Sequence, residues 1–102
     1  MSEVKLNIHS IHFDADVKLL DFIKARVNKL ANLSEHIVEG EVFLKLDNGN
    51  SLENKVVEIK LAIPGNDLFA KKTGKTFEEA TDASVEALRR QLKKRKEKVW
   101  GV

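Results

Sequence analysis

The chain has 102 residues, of which 42% are hydrophobic and 33% charged, and its formal net charge is +2. This length fits one small domain, and the apolar residues are too many and too regularly spaced for a disordered chain. The chain has no cysteine, which excludes disulfides and thiolate metal sites, and no apolar run approaches the roughly 20 residues that span a bilayer.

The first two predicted elements are a strand and a helix. Residues 4–13 begin with the period-two alternation of a half-buried strand. Apolar residues then recur at spacings of three and four, which predicts an amphipathic helix of about 16 residues. Asp14 or Asp16 can cap this helix. The two apolar faces consist of Val4, Leu6 and Ile8 in the strand and of Leu19, Leu20, Ile23, Val27, Leu30 and Ala31 in the helix.

Three further strands are predicted to form a meander. Residues 37–47 alternate again and end in a turn cluster at 47–51. Residues 55–63 have the strongest strand pattern, and a tight hairpin turn at 64–67 leads into a short strand at 68–74. The residues expected to face the core are Val42, Leu44 and Leu46 in the first of these strands and Val57, Ile59, Leu61 and Ile63 in the second.

The last predicted element is a helix from about residue 77 to 98. Thr76 and Glu79 form a capping box at its start. Its apolar stripe consists of Phe77, Ala80, Ser84 or Val85, Leu88 and Leu92. The order β-α-β-β-β-α predicts an α+β fold in a single domain over residues 1–102, with two helices packed on one face of a four-stranded sheet, as in double-stranded-RNA-binding domains.

Positive charge is concentrated at the end of this last helix. Residues 89–98 contain seven basic and one acidic side chain, a net charge of +6, whereas the other 92 residues carry −4. Helical spacing aligns the cations in two rows that extend over roughly 15 Å, a length that several phosphates of a nucleic acid can match. One row consists of Arg89, Lys93 and Lys96, and the other of Arg90, Lys94 and Lys98.

A solvated helix end is the alternative interpretation of these cations. Lysines near a helix C-terminus interact favourably with the helix dipole, which accounts for two or three of them. It does not account for seven, because like charges at i, i+4 repel each other. We therefore predict a polyanionic partner, and nucleic acid above all.

Other basic and ionisable residues are weaker candidates. Lys24, Arg26 and Lys29 on the first helix could extend the cationic surface if the two helices pack side by side. We interpret Lys71, Lys72 and Lys75 as protection of an edge strand, and Trp100 as a cover for apolar surface. His9 and His12 point to opposite faces of an extended strand and His36 stands alone in a loop, so we expect no metal site, no cofactor and no catalysis.

The whole chain resembles the ribosome hibernation promoting factor family, also called ribosome-associated inhibitor or protein Y, in its short form. The most specific match is the helix tail Arg90-Gln91-Leu92-x-Lys94-x-Lys96-x-Lys98. Phe22-Ile23-x-Ala25-Arg26-x-x-Lys29-Leu30 in the first helix and Asp82 in the second also match. The sequence departs from the family at Glu78, where many members have tyrosine, and at Lys72 and Thr73, which replace acids.

The resemblance implies a factor that binds the small ribosomal subunit in the channel for mRNA and tRNA, stops translation and protects idle ribosomes in stationary phase. It implies 16S rRNA contacts by Arg26, Lys29, Arg90, Lys94, Lys96 and Lys98, to which Arg89 and Lys93 add charge. We expect a cytoplasmic protein that binds no membrane and no small-molecule substrate and is a monomer away from the ribosome. A generic structured-RNA binder, a module for an acidic protein and a histidine-dependent nuclease are the alternatives.

Overall fold

Four strands and two helices follow one another in the predicted order β-α-β-β-β-α. The structure, a computed structural model, describes residues 5–32, 37–47, 49 and 52–100, without the side chains of 66 and 95–100. The elements are β1 (Lys5–Ser10), α1 (Val17–Ala31), β2 (Glu39–Leu46), β3 (Lys55–Ile63), β4 (Asn66–Gly74) and α2 (Phe77–Trp100). The predicted fold class is confirmed.

The strands form one sheet in the order β1-β2-β3-β4. β1 and β2 run parallel, since α1 carries the chain back between them, whereas the other neighbours are antiparallel. Pro64 and Gly65 alone make the turn from β3 to β4, and Gly65 has a φ of +85°, which glycine adopts without steric cost. β4 therefore begins at Asn66, two residues before the predicted start.

The core lies between the helices and one face of the sheet. The inner strand β3 contributes the four predicted residues Val57, Ile59, Leu61 and Ile63 to this core. Helix α1 contributes Leu19, Ile23, Val27 and Leu30. Leu46 was expected in the core but is 47% exposed, because it is the last residue of β2 and the apolar face of this strand ends at Leu44. Val56 is buried although it lies on the other face of the sheet, between Lys45 and Thr73 of the neighbouring strands.

Both helices begin at predicted caps. Asp16, and not Asp14, caps α1: its Oδ1 accepts a hydrogen bond from the backbone N–H of Leu19 at 2.8 Å. At the start of α2, Thr76 Oγ1 accepts from the backbone N–H of Glu79 at 3.0 Å. Each contact satisfies an N–H that has no partner within its helix.

Serine 84, and not Val85, occupies the fully buried face of α2. The Ser84 hydroxyl donates a hydrogen bond to the carbonyl oxygen of Val57 at 3.3 Å and so links α2 to the inner strand β3. Leu88 and Leu92 continue the buried stripe as predicted. The helix extends to Trp100, two residues beyond the predicted end.

A buried hydroxyl on α2 gives a stability prediction. Thr81 is fully buried, and its Oγ1 has no hydrogen-bond partner in the described part of the chain. Thr81→Val keeps the shape and similar helix propensity while removing an unsatisfied polar group, so it should raise the free energy of unfolding by about 1 kcal/mol in urea titrations. The matched variant Ser84→Ala should lower it, because that change removes a satisfied buried hydrogen bond. The reverse order of the two effects would contradict this view of Thr81.

Candidate nucleic-acid interface

A half-open groove of about 420 Å³ runs between α1 and α2. Three of the predicted cations, Arg26, Lys29 and Arg89, line this groove. The other lining residues are Leu30, Asp82, Val85 and Glu86. The side-by-side packing of the helices thus joins Arg26 and Lys29 of α1 to the start of the basic stretch on α2, as the sequence suggested. Lys24, the third basic residue considered on α1, does not line the groove.

Arg26 is held by two contacts that the sequence did not indicate. Its Nε lies 2.8 Å from Asp82 Oδ1, as an ion pair and not as an aligned hydrogen bond. Its guanidinium carbon lies 4.6 Å from the centroid of the Phe22 ring, a cation–π contact. Arg26 therefore connects the two helices. Asp82, which the sequence marked only by its match to the family, is the partner in this connection.

A single carboxylate contacts both arginines at the start of the basic stretch. Glu86 Oε2 lies 3.3 Å from Arg89 Nε, and Glu86 Oε1 lies 3.6 Å from Arg90 Nε. The spacings are i, i+3 and i, i+4, which bring side chains together on a helix surface. The arginine side chains remain 56% and 79% exposed, so both can also reach a ligand.

The middle of the basic stretch is anchored to the sheet. Gln91 Nε2 donates a hydrogen bond to the carbonyl oxygen of Phe69 in β4 at 3.0 Å, and Leu92 is buried. Lys93 and Lys94 follow directly and are exposed. The backbone continues as helix to Trp100, which keeps the predicted spacing, while the side chains of Lys96, Lys98 and Trp100 lie outside the described ones.

The lysines of β4 lie elsewhere. Phe69 contacts Gln91 near the middle of α2, whereas Gly74 lies close to Ala80 in its first turn. Lys71, Lys72 and Lys75 therefore lie nearer to the start of α2 than to Lys93 and Lys94. β4 is an edge strand, as our interpretation of these lysines as edge protection requires.

The histidines do not form a group. His9 lies on the sheet face opposite the helices, where its ring stacks on Phe43 at 4.9 Å between centroids and its Nε2 lies 3.8 Å from Glu41. His12 has a positive φ of 67° in the loop after β1, and His36 lies outside the described residues. Across the described ranges, no three histidine or carboxylate side chains could share a metal ion, and neither helix there is long and apolar enough to cross a membrane.

Two solved structures share this fold. The N-terminal domain of Thermus thermophilus protein Y aligns with a TM-score of 0.74 and 17% identity over 91% of this chain and 98% of its own. A structure from Coxiella burnetii, described as a ribosomal subunit interface protein, aligns with a TM-score of 0.77 and 16% identity over the same shares. At such identities the likeness shows the fold.

Sequence comparison shows the family. Two Pseudomonas putida proteins, each named ribosome hibernation promoting factor, are 30% identical to this chain over 95 residues, which are 93% of this chain and 89% of each relative. Residues 6–100 match the family model described as sigma 54 modulation protein / S30EA ribosomal protein. The resemblance inferred from the helix motifs is confirmed, and the chain belongs to this family of ribosome-associated proteins.

Proposed function

We propose that the chain binds 16S rRNA in the mRNA and tRNA channel of the small ribosomal subunit and thereby keeps ribosomes idle in stationary phase. The observation that carries the proposal is the joining of cations from two helices along one groove and the helix end beyond it. The proposed contacts are Arg26, Lys29, Arg89, Arg90, Lys93, Lys94, Lys96 and Lys98. The names of the Pseudomonas putida relatives, which are hibernation factors, support it.

The mechanism would be steric and electrostatic. Lysine and arginine contacts to phosphates position a protein on RNA without reading its sequence. The sheet and the anchored part of α2 present these cations in a fixed arrangement, so that specificity comes from the match between this surface and the folded rRNA. A domain seated in the channel would exclude mRNA and tRNA by its volume. No catalytic step is involved, and rRNA should remain intact during long incubation with the protein.

The two proposed rRNA contacts on α1, Arg26 and Lys29, should contribute unequally. Arg26 already pairs with Asp82, whereas Lys29 is exposed and has no carboxylate within 4.0 Å among the described residues. Lys29→Gln should therefore weaken binding to small subunits by about fivefold, a loss of about 1 kcal/mol. Arg26→Gln should weaken it by less, as measured by fluorescence titration of a labelled protein. A larger loss for Arg26→Gln would show that its pair with Asp82 opens on binding.

Competition with plain duplex RNA tests the proposal against its main alternative. The fold is that expected of a double-stranded-RNA binder, but α2 begins with Glu78 and Glu79, where such a domain would place its lysines. We therefore expect purified small subunits to bind the protein at least about 100-fold more tightly than a 20-base-pair RNA duplex does. Binding should weaken steeply with salt. If six cations are engaged, a plot of the logarithm of the association constant against the logarithm of the salt concentration should have a negative slope of several units. Equal affinity for both RNAs would favour a generic structured-RNA-binding module.

A further inference from the structure

We propose that Glu86 is a specificity-determining residue of the cationic surface. Its carboxylate occupies the place beside Arg89 and Arg90 that an RNA phosphate would otherwise take. RNA that cannot bind around this negative charge is thereby disfavoured. The inference rests on the proposed function, because it concerns which RNA the same surface accepts.

The geometry of Glu86 is that of a phosphate substitute. Its two oxygens contact two different guanidinium groups, at 3.3 Å for Arg89 and 3.6 Å for Arg90. A carboxylate is planar and a phosphate is tetrahedral, but both are oxyanions whose oxygens accept hydrogen bonds from guanidinium groups. A phosphate that approached both arginines from the groove would therefore meet an oxyanion already there.

The rest of the groove strengthens this effect. Asp82 lies on the same lining and pairs with Arg26. The three cations of the lining are thus accompanied by two carboxylates, and Lys29 is the lining cation that has no ion pair within 4.0 Å among the described residues. Phosphates are consequently directed to Lys29 and to Lys93 and Lys94 beyond the groove, and away from the space between Asp82 and Glu86.

This arrangement makes binding selective, because it repels RNA whose phosphates would have to approach Glu86. Exposed ion pairs are weak, so an approaching RNA phosphate can displace the Glu86 carboxylate from the arginines. The displaced carboxylate then remains close to the phosphate and repels it. A folded rRNA surface whose phosphates contact the exposed sides of the arginines, away from Glu86, avoids this repulsion. Discrimination by an unfavourable contact with the wrong partner is a common source of specificity.

Glu86→Gln tests the inference, since it removes the charge while keeping the size and helix propensity of the side chain. We expect the affinity for a 20-base-pair RNA duplex to rise about fivefold, and the log–log salt dependence to become steeper by about one unit as an arginine gains a phosphate. The affinity for purified small subunits should stay within about twofold. Glu39→Gln is the matched control, because it makes the same charge change at an exposed position on the sheet face away from the helices.

The outcomes separate this inference from the proposed function. A change in duplex affinity no larger than that of Glu39→Gln, or an equal rise for duplex and small subunits, would overturn the role of Glu86. The wild-type preference for small subunits over duplex tests the proposed function by itself. Unchanged thermal unfolding of Glu86→Gln would show that its effect arises at the surface, and Glu86→Ala should change duplex binding in the same direction.

Discussion

Replacing Lys94, Lys96 and Lys98 together by glutamine should weaken binding to small ribosomal subunits by about 100-fold. A charged contact to phosphate contributes on the order of 1 kcal/mol, so three such contacts contribute about 3 kcal/mol. The dissociation constant changes about tenfold for each 1.4 kcal/mol. The log–log salt dependence should also become less steep by about two to three units, because three fewer counterions are released. Quantitative cosedimentation at several salt concentrations measures both changes.

A matched control is available on the opposite face of the sheet. Lys5, Lys60 and Lys71 alternate with the core residues of β1, β3 and β4 and therefore lie on the face away from the helices. Their joint replacement by glutamine makes the same change in net charge. Binding should then weaken by less than about threefold, the effect of overall charge alone. Equal losses for the two triple variants would show that net charge, and not the helix end, governs binding.

Truncation of Leu88 should have the largest effect on stability. Leu88 is fully buried on α2, one residue before the arginines of the basic stretch. Leu88→Ala should lower the free energy of unfolding by about 2–5 kcal/mol, through lost apolar burial and the cavity that remains. Because small domains have a total stability of only about 5–15 kcal/mol, this variant should be close to unfolding at 37 °C. Urea unfolding followed by circular dichroism measures the change.

Leu52→Ala is the control for that experiment. Leu52 is 83% exposed, so the same chemical change should alter the free energy of unfolding by less than about 0.5 kcal/mol. A loss at Leu88 as small as the one expected at Leu52 would mean that α2 is not packed on the sheet through Leu88. It would also remove the rigid support that the proposed ribosome contact requires.

The fold could be predicted because its signals are local. The alternation of Val57, Ile59, Leu61 and Ile63 and the start of α2 at Thr76 depend on residues close together in the chain. The predictions of burial were wrong at the end of a strand and where residues distant in the chain bury a side chain. Leu46 continues the alternation of β2 but lies past the covered part of the sheet. Val56 is buried on the face away from the helices, where it lies between Lys45 and Thr73 of the neighbouring strands.

The cations of the candidate site were predictable from the sequence, and the ion pair between the two helices was not. The basic stretch can be read directly from residues 89–98, and the contact of Glu86 with Arg89 and Arg90 could have been anticipated from helical spacing. The Arg26–Asp82 pair could not, because it depends on how α1 packs against α2, 56 residues later in the chain. That packing decides which cations are free for a partner and which support the fold.

Directed hydroxyl-radical probing of 16S rRNA tests the central claim most directly. The chain has no cysteine, so an iron chelate can be attached uniquely at Lys93→Cys on α2 or at Lys60→Cys on the opposite face of the sheet. With small subunits bound, the probe at residue 93 should cleave 16S rRNA strongly along the mRNA and tRNA channel, and the probe at residue 60 should cleave there weakly. Equal cleavage from both positions, or cleavage outside the channel, would contradict the assignment of the helix face as the rRNA-binding surface.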